Sequence, residues 1–407
     1  VPGSPVPGGT YTPTATSIST VTGLTSGVSP AFSIDASSSG VCAIASGTVS
    51  FNASGTCLLL ANAAGNSNFT AAAQTSQTIV VGSLNQNITF TQPGNVSFGA
   101  AGFTLGATAS SNLVVTYTLG AGTTNAACTV SALGVVTVLH VGTCEVVAEQ
   151  IGDGQYAAAS SVSRAFQVVA AVPTAPTLTS GSASSQSITV AFTAPSFTGG
   201  VAINAYQVVA TPVSGGSTVT STSCTASPCT ITGLSNGTAY TVTVAAMNSA
   251  GAGPDSSATG SVTPATAAFA VLGLTAAPGN TVVDVSWAQP ADLGGGTFTR
   301  YDLYYKVAGS GSYGAPIAIN PSTPGDITTV VLPYQVTGLS NGTSYDFKVV
   351  TITSANGSEI PGNTAEVAQY PSTVPSAPRN VTVLASTASA VQISWSTPLT
   401  NGGVALV

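Results

Sequence analysis

Charge is the feature that this 407-residue chain has least of. Asp, Glu, Lys and Arg make up only 4% of its residues, whereas an ordinary globular protein has about 25%. Five basic residues face twelve acidic ones, and there is a single histidine. Nucleic acids and anionic membranes are both bound through clustered Lys and Arg, so the composition excludes them as partners. So few titratable groups also leave little for acid–base or metal chemistry; we therefore expect no enzyme and no cofactor.

Long apolar runs are missing as well. The mean hydropathy of +0.42 raises the question of membrane insertion, but no run approaches the ~20 apolar residues of a spanning helix. No segment has a helical period long enough to predict a helix, whereas short β-prone runs alternate with Gly, Asn and Ser turns at roughly ten-residue spacing. With 43% hydrophobic residues to form a core, the chain is predicted to be all-β, a string of tandem β-sandwiches.

A unit with two cysteines occurs twice in the first part of the chain. Cys42 and Cys57 are 15 residues apart, Cys128 and Cys144 are 16 apart, and Gly-Thr precedes the second cysteine of each pair. An aromatic residue and three alanines follow each pair at a matching distance. We therefore predict a Pro/Thr/Ser-rich linker at 1–15 and two homologous domains at about 16–82 and 83–170.

The second of these domains resembles the Ig-like repeats of long bacterial surface proteins. The residues that support the resemblance are Ile88-Thr89-Phe90, Ala107-Thr108-Ala109-Ser110-Ser111, Val115-Thr116-Tyr117-Thr118, Cys128-Thr129-Val130 and Gly142-Thr143-Cys144. The resemblance covers most of the domain and implies an Ig-like β-sandwich. The first copy has diverged further.

A different unit is repeated after residue 171. Residues 233–240 read GLSNGTAY, residues 338–345 read GLSNGTSY, and an alternating strand follows each. A tyrosine six residues after leucine fits a tyrosine corner, in which the hydroxyl of Tyr240 or Tyr345 satisfies a nearby backbone group. Trp287 and Trp395 lie in upstream strands that end just before a proline, and Phe192 takes that place in the first copy.

These residues resemble fibronectin type III domains. The resemblance implies complete copies at about 172–265 and 267–371 and an incomplete one at 373–407. A half sandwich exposes strand edges and an apolar face with Trp395. We expect either that the parent protein continues or that another subunit supplies the missing strands.

The six cysteines form three local pairs, each inside one predicted domain. Even numbers of paired cysteines are typical of disulfides in an oxidising, extracellular setting. No Cys-x-x-Cys pair exists and one histidine cannot complete several zinc sites, so a metal role is disfavoured. We predict the disulfides Cys42/Cys57, Cys128/Cys144 and Cys224/Cys229.

Candidate chemical groups are few. His140, in a strand predicted at 135–141, is interpreted as a surface residue, because no serine or cysteine nucleophile has an identifiable His–acid partner set. Glu145, Glu149 and Asp153 lie near one another in sequence, but they lack EF-hand spacing and fit a solvated turn better than a calcium site.

One pair of tyrosines is a candidate surface for stacking a sugar. Strand alternation places Tyr301, Leu303 and Tyr305 in the core and leaves Asp302, Tyr304 and Lys306 outside. Tyr304, together with Tyr313, could then form a small platform, which makes a surface polysaccharide a candidate partner.

The function predicted from these patterns is that of a non-enzymatic extracellular structural protein. Outward strand faces rich in Thr, Ser, Asn, Ala and Val repel one another little, so like molecules can pack together. We predict self-association into a surface filament, sheath or stalk of a bacterium, with adhesion as a further candidate role. The alternatives are non-catalytic spacer modules of a secreted polysaccharide-degrading enzyme and a phage virion or tail-fibre protein.

Overall fold

The computed structural model describes residues 2–406. Within them every regular element is a β-strand except two single-turn 3₁₀ helices, so the all-β prediction is confirmed. The chain divides into two compact units: residues up to Ala171 with Gly199–Val201, and Val172–Thr198 with the residues from Ala202 onward. The first residue of the predicted linker and the last residue of the predicted incomplete domain lie outside the described range.

The first unit begins with a small sandwich of six strands. They are β1 (Thr10–Tyr11), β2 (Ala31–Ile34), β3 (Cys42–Ala45), β4 (Thr48–Phe51), β5 (Gly55–Asn62) and β6 (Thr75–Val81), with a 3₁₀ helix at Ala36–Ser38. The antiparallel sheets have the orders β1-β4-β3 and β2-β5-β6. Alternate side chains point inward, so the core holds Cys42, Val49, Phe51, Cys57, Leu59, Ile79 and Val81.

Part of the predicted linker at 1–15 belongs to this sandwich. Thr10 and Tyr11 pair with Ser50 and Val49, and the backbone N–H of Gly8 donates to Phe51 at 2.8 Å. Proline and glycine are tolerated here because β1 lies at a sheet edge, where only one side of the strand needs hydrogen bonds. The structure therefore differs from the linker prediction over these residues.

The second sandwich of the first unit has nine strands. They are β7 (Ile88–Phe90), β8 (Val96–Ser97), β9 (Phe103–Thr104), β10 (Ala107–Ala109), β11 (Thr116–Leu119), β12 (Cys128–Val130), β13 (Val135–Val138), β14 (Gly142–Glu149) and β15 (Val162–Val169). A four-stranded sheet β11-β14-β15-β8 packs on the sheet β12-β13-β9 and the pair β10-β7. Phe166 and Tyr117 are among its largest buried side chains.

The second unit contains two sandwiches with the same three-plus-four arrangement. The first comprises β16 (Thr177–Ser184), β17 (Ser187–Thr193), β18 (Ala205–Pro212), β19 (Val219–Cys224), β20 (Cys229–Thr232), β21 (Tyr240–Asn248) and β22 (Gly251–Asp255). The second comprises β23 (Leu272–Gly279), β24 (Val282–Ala288), β25 (Thr297–Val307), β26 (Ile317–Ile319), β27 (Tyr334–Thr337), β28 (Tyr345–Ala355) and β29 (Ser358–Gln369), with a 3₁₀ helix at Ile327–Thr329. Their sheets are β16-β17-β20 with β19-β18-β21-β22, and β23-β24-β27 with β26-β25-β28-β29.

The last described element is a single hairpin of β30 (Arg379–Ser386) and β31 (Val391–Ser396). It corresponds to the first hairpin of the two complete sandwiches. Its apolar side chains are exposed, among them Val383 at 64% and Trp395 at 61%.

Candidate functional surface

The three disulfides join the predicted cysteine pairs, and each connects the two opposing sheets of its sandwich. Cys42–Cys57 links β3 to β5, Cys128–Cys144 links β12 to β14, and Cys224–Cys229 links β19 to β20. Their Cα atoms are 5.8, 5.7 and 5.9 Å apart, within the range that a disulfide spans. Among the described residues no cysteine is free, and the prediction of three local disulfides is confirmed.

Both predicted corner tyrosines accept a hydrogen bond from the backbone. The N–H of Ser235 donates to the Tyr240 hydroxyl at 3.1 Å, and the N–H of Ser340 donates to the Tyr345 hydroxyl at 3.2 Å. Both rings are buried. The two corners therefore fix the loop that precedes β21 and the loop that precedes β28.

The aromatic residues of the second strand occupy different surroundings in the three related hairpins. Trp287 is buried and meets Tyr301 edge-on, with ring centroids 5.2 Å apart. Phe192 packs on Tyr206 at 4.6 Å in the preceding sandwich. Trp395, on the hairpin β30–β31, is exposed. The difference arises because an opposing sheet covers the first two residues, whereas residues 373–406 place none over Trp395.

His140 lies just beyond a strand rather than in one. The strand predicted at 135–141 ends at Val138, because the backbone N–H groups of Leu139 and His140 both turn to donate to the Ala127 carbonyl. The exposed imidazole Nδ1 is 3.2 Å from the carbonyl oxygen of Ala126. Its nearest polar partner is thus backbone, which fits the surface interpretation.

Two of the three acidic residues that lie near one another in sequence, Glu145 and Asp153, have separate local partners. The Glu145 carboxylate accepts hydrogen bonds from the Ser163 hydroxyl and the Gly122 N–H, which lower its pKa. Asp153 accepts from two backbone N–H groups of the turn that follows it, and its pKa is lowered by them. Within residues 2–406 no group of three His, Cys, Asp or Glu side chains is placed to hold a metal ion.

The two tyrosines predicted as a sugar platform are part of a tyrosine–lysine cluster, which we define as Tyr304, Tyr313, Lys306 and Lys348. The rings meet edge-on at 71°, with centroids 6.3 Å apart. The Lys348 ammonium lies 4.7 Å from the Tyr304 centroid and 4.2 Å from that of Tyr313, and Lys306 lies 4.8 Å from Tyr313. Burial, with Glu366 and Asp346 nearby, raises the pKa of Tyr313 to about 12.

This geometry is not that of a flat stacking surface. The rings are not coplanar, and ammonium groups lie over their faces in cation–π contacts. The cluster instead ties the loop after β25 to the sheet, since Lys306 also donates to the carbonyls of Ser310 and Gly311. A polysaccharide partner stays a prediction.

Asp302 is buried, which contradicts the alternation-based prediction that it lies outside. It is only 4% exposed, because β25 is an inner strand of its sheet and Arg300 lies over the carboxylate, with Nε at 2.8 Å. Arg300 also pairs with Glu359 on β29. The guanidinium lowers the pKa of Glu359, and the two carboxylates raise the pKa of Arg300.

Each of the five basic side chains is engaged by groups of its own chain within the described residues. Arg300 is ion-paired, Lys306 and Lys348 belong to the tyrosine–lysine cluster, and the remaining two arginines donate to backbone carbonyls, Arg164 to Phe90 and Arg379 to Thr397. The surface therefore presents few cations that are free to attract a partner.

Comparison with known proteins identifies domains in the second unit. The model of the fibronectin type III domain matches residues 172–262 and 270–367. Among solved structures, a two-domain fibronectin type III segment of chicken tenascin is 12% identical, covers 49% of this chain and 98% of its own length, and aligns with a TM-score of 0.27. Fibronectin type III domains are in general non-catalytic modules, and in combination with disulfides they are typical of extracellular proteins. In the part of the chain that the structure describes, no helix has the length and apolarity needed to cross a membrane.

Proposed function

We propose that the chain is a non-enzymatic extracellular structural protein that associates with copies of itself into a filament, sheath or stalk at a bacterial cell surface. The observation that supports the proposal is the nearly uncharged surface, on which even the few basic groups are satisfied internally. Surface charge of one sign normally keeps soluble proteins apart. Here the net charge is −7 on a chain of 39.5 kDa. When two such surfaces pack together, few charged side chains are buried without a partner.

Two further features support a structural role outside the cell. Each disulfide links opposing sheets, so it holds a sandwich together where dilution or proteolysis would act on a loosened domain. The matched domain type serves in general as a module rather than as a catalyst, and fold alone does not assign chemistry. The basic side chains, and acidic ones such as Glu145 and Asp153, have structural partners within the chain.

The test is electron microscopy of the native 407-residue chain together with its mass distribution by sedimentation at increasing salt. Because the contacts would be between neutral surfaces, we expect ordered filaments or sheets whose size distribution is nearly unchanged between 0.01 and 1 M salt, while the screening length falls from about 30 to about 3 Å. Dispersed single molecules at micromolar concentration at every salt concentration would refute self-association and favour the spacer alternative. Assemblies that dissolve as salt rises would contradict the neutral-surface argument.

A further inference from the structure

The repeated segment Ser-Asn-Gly-Thr, at 235–238 and 340–343, has a second partner besides the corner tyrosine. In each copy its Asn-Gly pair lies against a Gly-Gly pair of the following domain. Asn236-Gly237 lies against Gly295, and Asn341-Gly342 lies against Gly403, while the first glycine of each pair lies against the connecting residue Thr266 or Thr373. All these residues belong to the second compact unit.

The backbone between the two complete sandwiches is hydrogen-bonded to both of them. The N–H of Gly237 in the first sandwich donates to the carbonyl of Pro264 at 2.9 Å. Two residues later, the N–H of Thr266 donates to the carbonyl of Gly294 in the second sandwich, also at 2.9 Å. Within three residues, the connection is thus anchored on each side.

The next connection repeats the same bonds. The N–H of Gly342 donates to Pro371 at 2.9 Å, and the N–H of Thr373 donates to Gly402 at 2.8 Å. The connecting residues follow the same pattern, since Pro264-Ala265-Thr266 becomes Pro371-Ser372-Thr373. Two independent segments of sequence therefore build one arrangement, which we call the Pro-x-Thr joint.

The glycine pairs are required by space as well as by backbone conformation. Gly295 and Gly403 have φ values of +84° and +94°. A Cβ atom on Gly295 would lie 2.6 Å from the carbonyl carbon of Asn236, and one on Gly403 would lie 2.6 Å from the nitrogen of Gly342. The atoms in the way are backbone atoms, and they could move aside only if the two domains separated. Only glycine therefore allows the two backbone segments to lie this close.

The first joint has one additional clamp. The side-chain amide of Asn356, in the turn between β28 and β29, accepts from the N–H of Thr263 at 2.8 Å and donates to its carbonyl at 2.9 Å. Asn356 belongs to the second sandwich, and Thr263 is the last residue before Pro264. The connection is therefore fixed from two loops of the same domain.

We infer that the Pro-x-Thr joint locks each fibronectin type III domain onto the next element, so that the sandwich β16–β22, the sandwich β23–β29 and the hairpin β30–β31 move as one body. Domains joined by short linkers otherwise reorient as the default. Here the constraint comes from backbone hydrogen bonds and glycine contact, and the same bonds recur at successive connections. The inference does not depend on self-association, since it concerns a single chain.

The test compares Gly295→Ala with Gly309→Ala in the 407-residue chain. Gly309 has a similar φ of +77°, but a Cβ there would meet nothing within 4 Å, so it carries the same conformational cost without the clash. Spin labels on cysteines introduced at the exposed strand positions Thr230 and Thr337 report the distance between the two sandwiches. We expect one narrow distance distribution for the parent and for Gly309→Ala, and a broad one for Gly295→Ala.

Amide hydrogen exchange provides the second readout. In the parent chain the N–H of Thr266 should exchange at least ~10-fold more slowly than an unprotected amide, and Gly295→Ala should abolish that protection. The core amide of Val285 should keep its protection, which shows that the domain stays folded. If the amide of Val285 also loses its protection in Gly295→Ala, that variant has unfolded the domain, and Asn356→Gly tests the inference instead. Glycine readily adopts the φ of +51° at this position, but the variant lacks both hydrogen bonds to Thr263 and should broaden the distance distribution.

The inference is overturned if the parent distance distribution is already broad. It is also overturned if Gly295→Ala and Gly309→Ala give the same distribution and the same exchange at Thr266. Loss of filaments in electron microscopy would leave these measurements unchanged, so the two proposals fail separately.

Discussion

Removal of the Cys42–Cys57 disulfide should unfold the first sandwich, whereas removal of the Cys128–Cys144 disulfide should leave the second sandwich folded. Both bridges close loops of nearly equal length, 15 and 16 residues. In the chain-entropy model each contributes about 3 kcal/mol by restricting the unfolded chain. Equal loops mean that the two bridges should contribute equally, so any difference in outcome has to come from what remains of each domain.

What remains differs by about a factor of two. Among the described residues the buried core of the first sandwich has seven members, two of them the cysteines, whereas the core of the second has fourteen. A domain of some 60–70 residues is marginal even with a complete core. Loss of about 3 kcal/mol from a total on the order of 5 kcal/mol leaves too little to keep the first sandwich folded at 37 °C.

The assay uses two double variants, Cys42→Ala/Cys57→Ala and Cys128→Ala/Cys144→Ala. Each deletes the same atoms from a buried site, so the cavity cost is matched. Hydrogen exchange at Ile79 in the first sandwich and Val146 in the second reports each domain separately, and calorimetry counts the transitions. The first variant should lose protection at Ile79 and keep it at Val146, while the second variant should keep both. If the two variants lose stability equally, or if the second sandwich unfolds first, core size does not decide which domain depends on its disulfide.

Three further outcomes are expected. Tyr345→Phe removes the acceptor of the Ser340 N–H and should lower the free energy of unfolding of its domain by about 1–2 kcal/mol in urea titrations; an unchanged midpoint would contradict the corner's role. Acrylamide should quench the exposed Trp395 and spare the buried Trp287, so Trp395→Phe should remove the quenchable fluorescence component, and equal quenching of both would refute the burial difference. The pKa of Glu359 is lowered by its arginine partner, so the stability that the ion pair adds is present above the ordinary pKa of 4.5 and is lost as pH falls through the lower folded value. Glu359→Gln should therefore weaken the pH dependence of that domain's thermal midpoint in this acid range. An unchanged pH dependence would show that the pair adds no stability.

Much of the fold could be predicted because the signals are local. The cysteine pairs are 15, 16 and 5 residues apart, and the leucine-to-tyrosine spacing of the corner lies within one loop. Alternation also placed Tyr301 and Leu303 in the core, where both are buried. It failed at Asp302, because alternation assigns a side of the sheet and does not show that Arg300 covers that side.

Other features depended on contacts between distant segments. The pairing of Thr10 with Ser50 is invisible in a stretch whose composition is typical of a linker. The Gly-Gly and Asn-Gly pairs of the Pro-x-Thr joint are plain in the sequence, but each is an ordinary turn signal. Their use as a joint depends on residues about 58–61 positions apart, and no local pattern reports such a distance.

The joint bears on self-association through entropy. A chain whose domains reorient freely must give up that freedom when it packs into an ordered assembly, and the loss opposes association. If the joints at Pro264 and Pro371 each hold the following element in the same way, the domains are already fixed relative to one another when the chain folds. Successive domains then present their neutral faces at a fixed spacing. Weak contacts between uncharged surfaces then suffice, because each new contact adds stabilisation without a further ordering cost. On this argument Gly295→Ala should also raise the concentration at which assemblies form, whereas Gly309→Ala should not.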